Sequence, residues 1–326
     1  MTVSVTQENF DSIWERWESI LPLSATNTVF VSPWWHKTWW NNFGEGNDSL
    51  ILSVTEGSEL LGIAPLMTSR NGTLTFLGDR DLSDYFDFVV PRDRQDRFYP
   101  ALLNYLSELD WTNLELPSLP SGSPTLDYVP DLAGRMGWSV VVEEEETTPK
   151  AELPGSWDEF LSGLRKKDRH ELRRKLRRLD RESENRQYAA ANGDSLESSM
   201  REFFTLLRAS REDKNEFLTP DREKFFLDMA HELASRDQFR LYFLEVDGEK
   251  VAACICFDYG DDFLLYNSGY EPAYSRLSVG LINKALSIRT AIERNRKVFN
   301  FLKGNERYKY NLGGRDEAVF HMSVTR

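Results

Sequence analysis

The chain has 326 residues, with 40 lysines and arginines against 53 aspartates and glutamates, which gives a formal net charge of −13. Its 40% of hydrophobic residues can form a buried core, which excludes a largely disordered chain, and its length favours two domains. The acidic balance argues against general attraction to nucleic acid or anionic lipid, although a local basic segment is compatible with either.

Membrane and metal signals are both missing from the sequence. No stretch approaches the roughly 18 consecutive apolar residues of a membrane-spanning helix, and the N-terminus lacks a basic segment followed by an apolar run, so we expect a cytoplasmic protein without a membrane span. Cys254 and Cys256 alternate within an apolar run, which predicts small buried side chains on one face of a strand. The four histidines are dispersed and none has an HExxH spacing, so we expect no metal site.

Residues 1–150 predict an α/β unit. An amphipathic helix begins at Phe10, and Ser32-Pro33 opens a second one with a cap residue and a first-turn proline. Three strands then form an antiparallel meander, at residues 50–54, 60–67 and 73–77. The unit continues with a helix at residues 95–109 and a short strand at 114–116. A loop rich in Pro, Ser and Gly follows at 117–124, then a helix at 131–136 and a strand at 138–142. The acidic run at 143–146 and the following Pro149 predict a domain boundary.

Residues 151–185 predict a long basic helix that connects two domains. Ser156 and Glu159 have the spacing of a capping box at its start. The segment from Arg165 to Arg181 contains ten basic residues and three acidic ones, and its apolar stripe is narrow. Most of the helix surface must therefore contact either water or an anion, and both alternatives stay open.

Residues 186–326 repeat the order of the first unit. Two amphipathic helices begin near Leu196 and at Thr219-Pro220. Three strands follow at residues 239–246, 251–257 and 263–269, and Asp247-Gly248 between the first two predicts a type I′ turn. A helix, a strand and a final strand complete the unit, at residues 278–294, 298–302 and 318–325. The shared order indicates a structural duplication, although the two halves show little residue-level similarity.

The helix that follows the third strand of the second meander predicts an anion site. The first amides of a helix are free and its dipole places positive charge there, so they can hold a diphosphate. Ser278 and Gly280 are small enough to let a phosphate approach the backbone, and Arg276 could add charge. An ordinary helix cap produces the same spacing and is the alternative.

Several segments resemble the cellulose-biosynthesis, CelD-like family of GNAT-superfamily acetyltransferases. In the second half they are residues 266–270, 278–280 and 301–309, and in the first half residues 64–66, 83–87 and the arginine-rich 172–174. The resemblance implies an α/β (α+β) chain with two tandem GNAT-like folds, mixed sheets flanked by helices and joined by the basic helix. It also implies that residues 186–326 hold acetyl-CoA or another acyl-CoA, and that residues 1–150 have no cofactor site and contribute acceptor contacts. The residues expected to bind the coenzyme are Arg276, Ser278, Val279, Gly280, Leu281 and Lys303.

Acyl transfer from a thioester needs a base, donors for the oxyanion and an acid for the leaving thiolate, but no metal. The resemblance implies that Tyr308 protonates the thiolate, and a tyrosine that only packs and hydrogen-bonds is the alternative. We assign Tyr266 and Lys309 to the acceptor site. Both Lys303 and Lys309 are also compatible with a solvated surface.

Asp84, Tyr85 and Asp87 are the candidates for acceptor binding in the first half. Two carboxylates and a phenol suit an amino sugar or another cationic amine. In a strand, Tyr85 and Asp87 would face one side and Asp84 the other. Ordinary turn chemistry is the alternative for this segment. The tryptophans at 34, 35, 39 and 40 suit sugar stacking, but adjacent residues of a helix cannot share one side, which favours core packing.

The leading hypothesis is an acyl-CoA-dependent N- or O-acyltransferase, with acetyl-CoA as the main donor. Its partner would be a small-molecule or glycan acceptor, namely a sugar, amino sugar or small amine linked to polysaccharide or cell-envelope biosynthesis. The first alternative is a Fem-type aminoacyltransferase, and the basic helix would then contact the tRNA. Nucleic acid is otherwise not expected as a partner. The second alternative is a non-catalytic GNAT-like scaffold.

Overall fold

The computed structural model describes residues 2–69, 72–190, 193 and 195–326. The chain divides into two compact units, one made of residues 1–147 and 317–326 and the other of residues 148–316. Each unit contains its own mixed sheet with helices packed on it. The predicted α/β (α+β) class, with mixed sheets flanked by helices, is therefore confirmed.

The first unit begins with a strand, two helices and a three-strand meander. Its elements are β1 (Val3–Glu8), α1 (Phe10–Ile20), α2 (Pro33–Phe43), β2 (Asp48–Glu56), β3 (Glu59–Thr68), β4 (Leu74–Phe76), α3 (Gln95–Glu108), β5 (Asn113–Pro120), α4 (Thr125–Arg135) and β6 (Ser139–Thr147). Ser32 caps α2 through the Trp35 amide, with Pro33 in the first turn, as predicted. Trp34, Trp35 and Trp39 are buried, which confirms core packing for these three rings.

The second unit begins with a strand and two helices and then repeats this order with one additional helix, Glu212–Phe217. Its elements are β7 (Lys150–Glu152), α5 (Trp157–Gly163), α6 (Lys166–Glu182), β8 (Asn185–Ala189), α7 (Leu196–Ser210), α8 (Glu212–Phe217), α9 (Pro220–Ser235), β9 (Phe239–Val246), β10 (Glu249–Tyr259), β11 (Asp262–Tyr270), α10 (Val279–Glu293), β12 (Val298–Asn300) and α11 (Arg307–Asn311). The strand order is β7-β12-β11-β10-β9-β8. Asp247 and Gly248 have φ of 51° and 86°, which agrees with the predicted type I′ turn.

The predicted long basic helix is two helices that belong to the second unit. Ser156 caps α5, since its Oγ accepts from the Glu159 amide at 3.2 Å, as predicted. The chain is extended at Leu164, so α5 ends there and α6 starts afresh. Leu172 and Leu179 of α6 are buried in the second unit. The expectation of a separate connector at 151–185 is thus corrected.

The last strand, β13 (Ala318–Thr325), lies in the sheet of the first unit. It pairs antiparallel with both β5 and β6, and Val319, Met322 and Val324 are fully buried. The residues of this strand were predicted, but its assignment to a unit of residues 186–326 was wrong. The acidic run at 143–146 is also part of β6 and pairs with β13, so the chain leaves the first unit only at Thr147.

Candidate functional site

The sheet of the second unit opens between β11 and β12. These strands pair in parallel only over Asp262–Leu264 and Val298–Asn300, whereas β11 continues to Tyr270. Tyr266 is an extra residue in β11 relative to β10, a β-bulge that bends the strand further. Beyond Leu264 this edge of β11 has no strand neighbour among the described residues. An extended ligand can hydrogen-bond to such an open edge.

The open edge of β11 leads to the first turn of α10. Ser278 has left-handed backbone angles, φ 60° and ψ 34°. Its carbonyl accepts from the amides of Leu281 and Ile282 at 3.1 and 3.0 Å. The amides of Val279 and Gly280 precede these first helical bonds, so they have no intrahelical acceptor and can bind an anion. The predicted anion turn therefore lies at a helix N-terminus.

Lys175 of α6 lies against this turn. Its Nζ donates to Ser278 Oγ at 2.8 Å and is 3.6 Å from Glu171. A cation at a helix N-terminus opposes the helix dipole, and a bound anion would offset both positive charges. Lys175 and Leu281 also line a cavity of about 640 Å³ formed by α6, the start of α10 and α11. Sequence reasoning found the basic helix but not the contact between Lys175 and the turn.

Two predicted coenzyme residues have other partners in the structure. A Cβ at Gly280 would lie 3.1 Å from the Tyr270 ring, so the packing of Tyr270 already favours a small residue there. Arg276 is exposed and forms an ion pair with Glu182 at 2.7 Å. The binding of the coenzyme by Arg276 remains a prediction, and Lys175 is a second cation beside the turn.

Lys309 is 2% exposed and fixes the loop that follows β12. Its Nζ donates to the carbonyls of Leu302, Lys303 and Gly304 and pairs with Glu306 at 2.9 Å. These four partners leave no position for an acceptor, so the structure contradicts the predicted substrate-binding role of Lys309. Lys303 is half-buried and contributes a carbonyl to this loop.

Tyr308 and the α10 turn share a neighbour, Lys284 of α10. The Lys284 ammonium lies 4.8 Å from the centroid of the Tyr308 ring and donates to the Gly280 carbonyl at 3.1 Å. Burial raises the pKa of the Tyr308 phenol well above its usual value, so the hydroxyl stays protonated and available as a donor. Tyr308 therefore lies near the α10 turn, and its catalytic role remains a prediction.

Tyr266, at the bulge of β11, belongs to an aromatic cluster. Its ring centroid lies 4.7 Å from that of Phe257 and 5.6 Å from that of Phe226. Its acceptor contact remains a prediction. Lys214 of α8, which no sequence pattern indicated, lies on the open edge of the same strand. Its Nζ donates to the Ser268 carbonyl, and to the side-chain oxygen of Asn267 at 3.2 Å.

The acceptor candidates of the first unit are mostly buried. Asp87 is 1% exposed, and its carboxylate accepts from the hydroxyls of Thr26 and Thr125. Burial raises the pKa of Asp87, and these hydrogen bonds oppose the increase. Tyr85 is also buried, and neither residue is in a strand. This burial contradicts acceptor binding by Asp87 and Tyr85. Asp84 is half-buried, and its role remains a prediction.

Within residues 2–69, 72–190, 193 and 195–326, no group of three or more His, Cys, Asp or Glu side chains is placed to hold a metal ion. No helix in these ranges is both long and apolar enough to cross a bilayer.

Comparison with known proteins agrees with this fold. Residues 166–310, within the second unit, match the model of the acetyltransferase (GNAT) domain. FemX is similar in structure, with a TM-score of 0.70, 10% identity and coverage of 98% of this chain and 96% of that one. A tandem GNAT protein from the clavulanic acid biosynthesis pathway follows the fold with a TM-score of 0.55, 13% identity and coverage of 99% and 98%. L-PGS from Bacillus licheniformis gives a TM-score of 0.57, 11% identity and coverage of 96% and 91%.

At these identities the likeness extends to the fold alone. The chain has two tandem GNAT-like folds, and the match to the acetyltransferase (GNAT) domain model lies in the second. Comparison with curated proteins gives no significant match.

Proposed function

We propose that the chain is an acyl-CoA-dependent N- or O-acyltransferase, with acetyl-CoA as its main donor. The observation that carries the proposal is the junction between the open edge of β11 and the free first-turn amides of α10. The amides of Val279 and Gly280 would bind the diphosphate, with Ser278 and Leu281 shaping the turn. Lys175 adds positive charge there, and Lys303 is proposed to reach another phosphate. The open edge of β11 would hold the extended arm of the coenzyme.

The reaction joins the acceptor nitrogen or oxygen to the thioester carbon and breaks the carbon–sulfur bond. The acceptor loses a proton, and the coenzyme thiolate gains one. We propose that Tyr308 donates a hydrogen bond to the departing sulfur, since its phenol is protonated and shares Lys284 with the α10 turn. The resemblance to the CelD-like family supports a sugar, amino sugar or small amine from polysaccharide or cell-envelope biosynthesis as the acceptor.

A Fem-type aminoacyltransferase is the second candidate. Four arginines of α6 line one cavity, at positions 174, 177, 178 and 181. Clustered arginines suit the phosphates of a tRNA, and such binding would weaken as salt increases. The similarity of fold to FemX is compatible with this candidate.

Titration with acetyl-CoA tests the proposed donor. We expect acetyl-CoA to raise the melting temperature, and Gly280→Val to weaken its affinity by about 100-fold, or about 2.8 kcal/mol. The added side chain must displace the Tyr270 ring and shift the first turn of α10. Calorimetry measures the affinity, and a cooperative unfolding curve shows that the variant is folded.

Gly163→Val is the matched control, because a Cβ at Gly163 meets no atom within 4 Å. If acetyl-CoA changes nothing while tRNA raises the melting temperature at low salt only, the Fem-type candidate replaces the first. Equal affinity in wild type and Gly280→Val would remove this turn from the site.

Replacing Tyr308 by phenylalanine tests the acid. We expect Tyr308→Phe to slow acyl transfer on the order of 100-fold, because the thiolate loses its donor, and to leave the affinity for acetyl-CoA unchanged. Release of free thiol gives the rate. Tyr310→Phe is the control on the same helix, since the Tyr310 hydroxyl donates to Asp316 at 2.7 Å. An undiminished rate for Tyr308→Phe would end this assignment.

A further inference from the structure

Lys214 of α8 contacts β11 at Ser268, a residue whose backbone amide and carbonyl both face the open edge. The Ser268 amide donates to the side-chain oxygen of Asn267 at 2.8 Å, so this amide is directed away from β10. The amide and carbonyl of one strand residue point to the same side, so the Ser268 carbonyl also faces away from β10. That carbonyl accepts from Lys214 Nζ. Lys214 therefore lies on the edge that the proposed thioester would follow.

The surroundings of Lys214 are unusual for a half-buried ammonium group. Its two acceptors, the Ser268 carbonyl and the Asn267 side chain, are both neutral. None of the ion pairs in the described part of the chain includes Lys214. Lys309 differs, since it is paired with Glu306 at 2.9 Å as well as with three carbonyls. A half-buried ammonium group whose acceptors are both neutral is less stable than one that is paired with a carboxylate.

Charged groups from three elements surround Lys214. Lys284 of α10 and Arg211, just before α8, repel its positive charge, whereas Glu306 and Asp213 attract it. Burial is the largest effect and, together with the two cations, lowers the pKa of Lys214 to about 7. A large fraction of Lys214 is therefore a neutral amine with a free lone pair at neutral pH.

Given acyl-CoA as the donor, which rests on the proposed function, we propose that Lys214 is the catalytic proton acceptor and that the acceptor substrate is a primary amine. The amine attacks the thioester carbonyl, the carbon–nitrogen bond forms, and the carbon–sulfur bond breaks. The proton of the attacking nitrogen passes to Lys214 Nζ, which later releases it to solvent. The coenzyme thiolate takes its proton from Tyr308 or water. An alcohol is a far weaker acid than an ammonium group, so Lys214 selects N-transfer over O-transfer.

Amine labelling of the full-length protein tests the position of Lys214 without knowledge of the acceptor. A short pulse of acetic anhydride between pH 5.5 and 10, read lysine by lysine by mass spectrometry, should label Lys214 half-maximally near pH 7. Saturating coenzyme A should slow this labelling at least about fivefold. Lys224, exposed and paired with Asp228, is the control and should show neither effect.

Calorimetry on the same samples distinguishes a failure of the proposed donor from a failure of the proposed role of Lys214. No binding of coenzyme A overturns the proposed donor, whereas binding without protection of Lys214 overturns this inference alone.

Variants test the chemistry. Lys214→Met and Lys214→Arg should both retain affinity for acetyl-CoA and lower N-acetylation by about 100-fold, because neither side chain can accept the proton at neutral pH. Lys224→Met should transfer at the wild-type rate. The probes are glucosamine with other small primary amines and, for comparison, glucose. Full activity of Lys214→Arg would mean that only the charge matters, and acetylation of glucose alone would show O-transfer. Either result overturns the proposal.

Discussion

Replacing Lys309 by methionine is expected to destabilise the second unit by about 3 kcal/mol and to stop the proposed acyl transfer. Methionine fills the volume of the lysine stem but leaves the carbonyls of the loop after β12 without their donor. This loop contains two residues with positive φ, Leu302 at 59° and Gly304 at 107°. A left-handed leucine is strained and needs such compensation. Tyr308 follows directly, so loss of the loop also displaces the proposed acid.

Urea unfolding measures this change, and the exposed Lys297→Met is the control, with an expected loss below about 0.5 kcal/mol. The comparison also distinguishes a structural role of Lys309 from a role in substrate binding. A variant that is as stable as wild type but no longer binds an acceptor would restore the substrate-binding role that the structure contradicts.

Replacing Asp258 by asparagine should destabilise the protein by about 3–5 kcal/mol. Asp258 of β10 is 6% exposed and pairs with Arg240, Arg294 and Arg296 at 3.3, 2.7 and 2.5 Å. Asparagine keeps the size of the side chain but removes the charge that the three guanidinium groups share. Because Arg294 and Arg296 follow α10, the same ion pairs fix the end of that helix opposite the anion turn.

Denaturant titration checks this value against Asp228→Asn, which breaks an exposed pair with Lys224 and should cost less than about 1 kcal/mol. A loss below 1 kcal/mol for Asp258→Asn would mean that the arginines are solvated without their partner.

Local patterns predicted most elements of the fold. The meanders and the helices that follow them appear in both units, because hydrophobic periodicity and cap residues act within a few positions. The partners of β13 were not predictable in this way, since its alternating pattern fits either sheet. The acidic run at 143–146 was interpreted as a domain boundary, because a largely exposed strand of charged residues carries no hydrophobic pattern.

The parts of the candidate site that are contiguous in sequence were predicted, and the contacts between residues far apart in sequence were missed. The turn at 278–281 lies at the start of α10, as expected from its spacing. Lys175 reaches Ser278 across 103 positions, and Lys214 reaches Ser268 across 54, so no motif joins them. Lys309 was misassigned because its partners are backbone carbonyls, which carry no sequence signature.

The position of β13 has a consequence for how the protein is made. Because this strand lies between β5 and β6, the sheet of the first unit is complete only after residues 318–325 have left the ribosome. Until then β5 and β6 present unpaired edges, which favour association with other chains. The second unit, contiguous at 148–316, has all its strands earlier. During synthesis the later half of the chain can therefore reach its native pairing before the earlier half does.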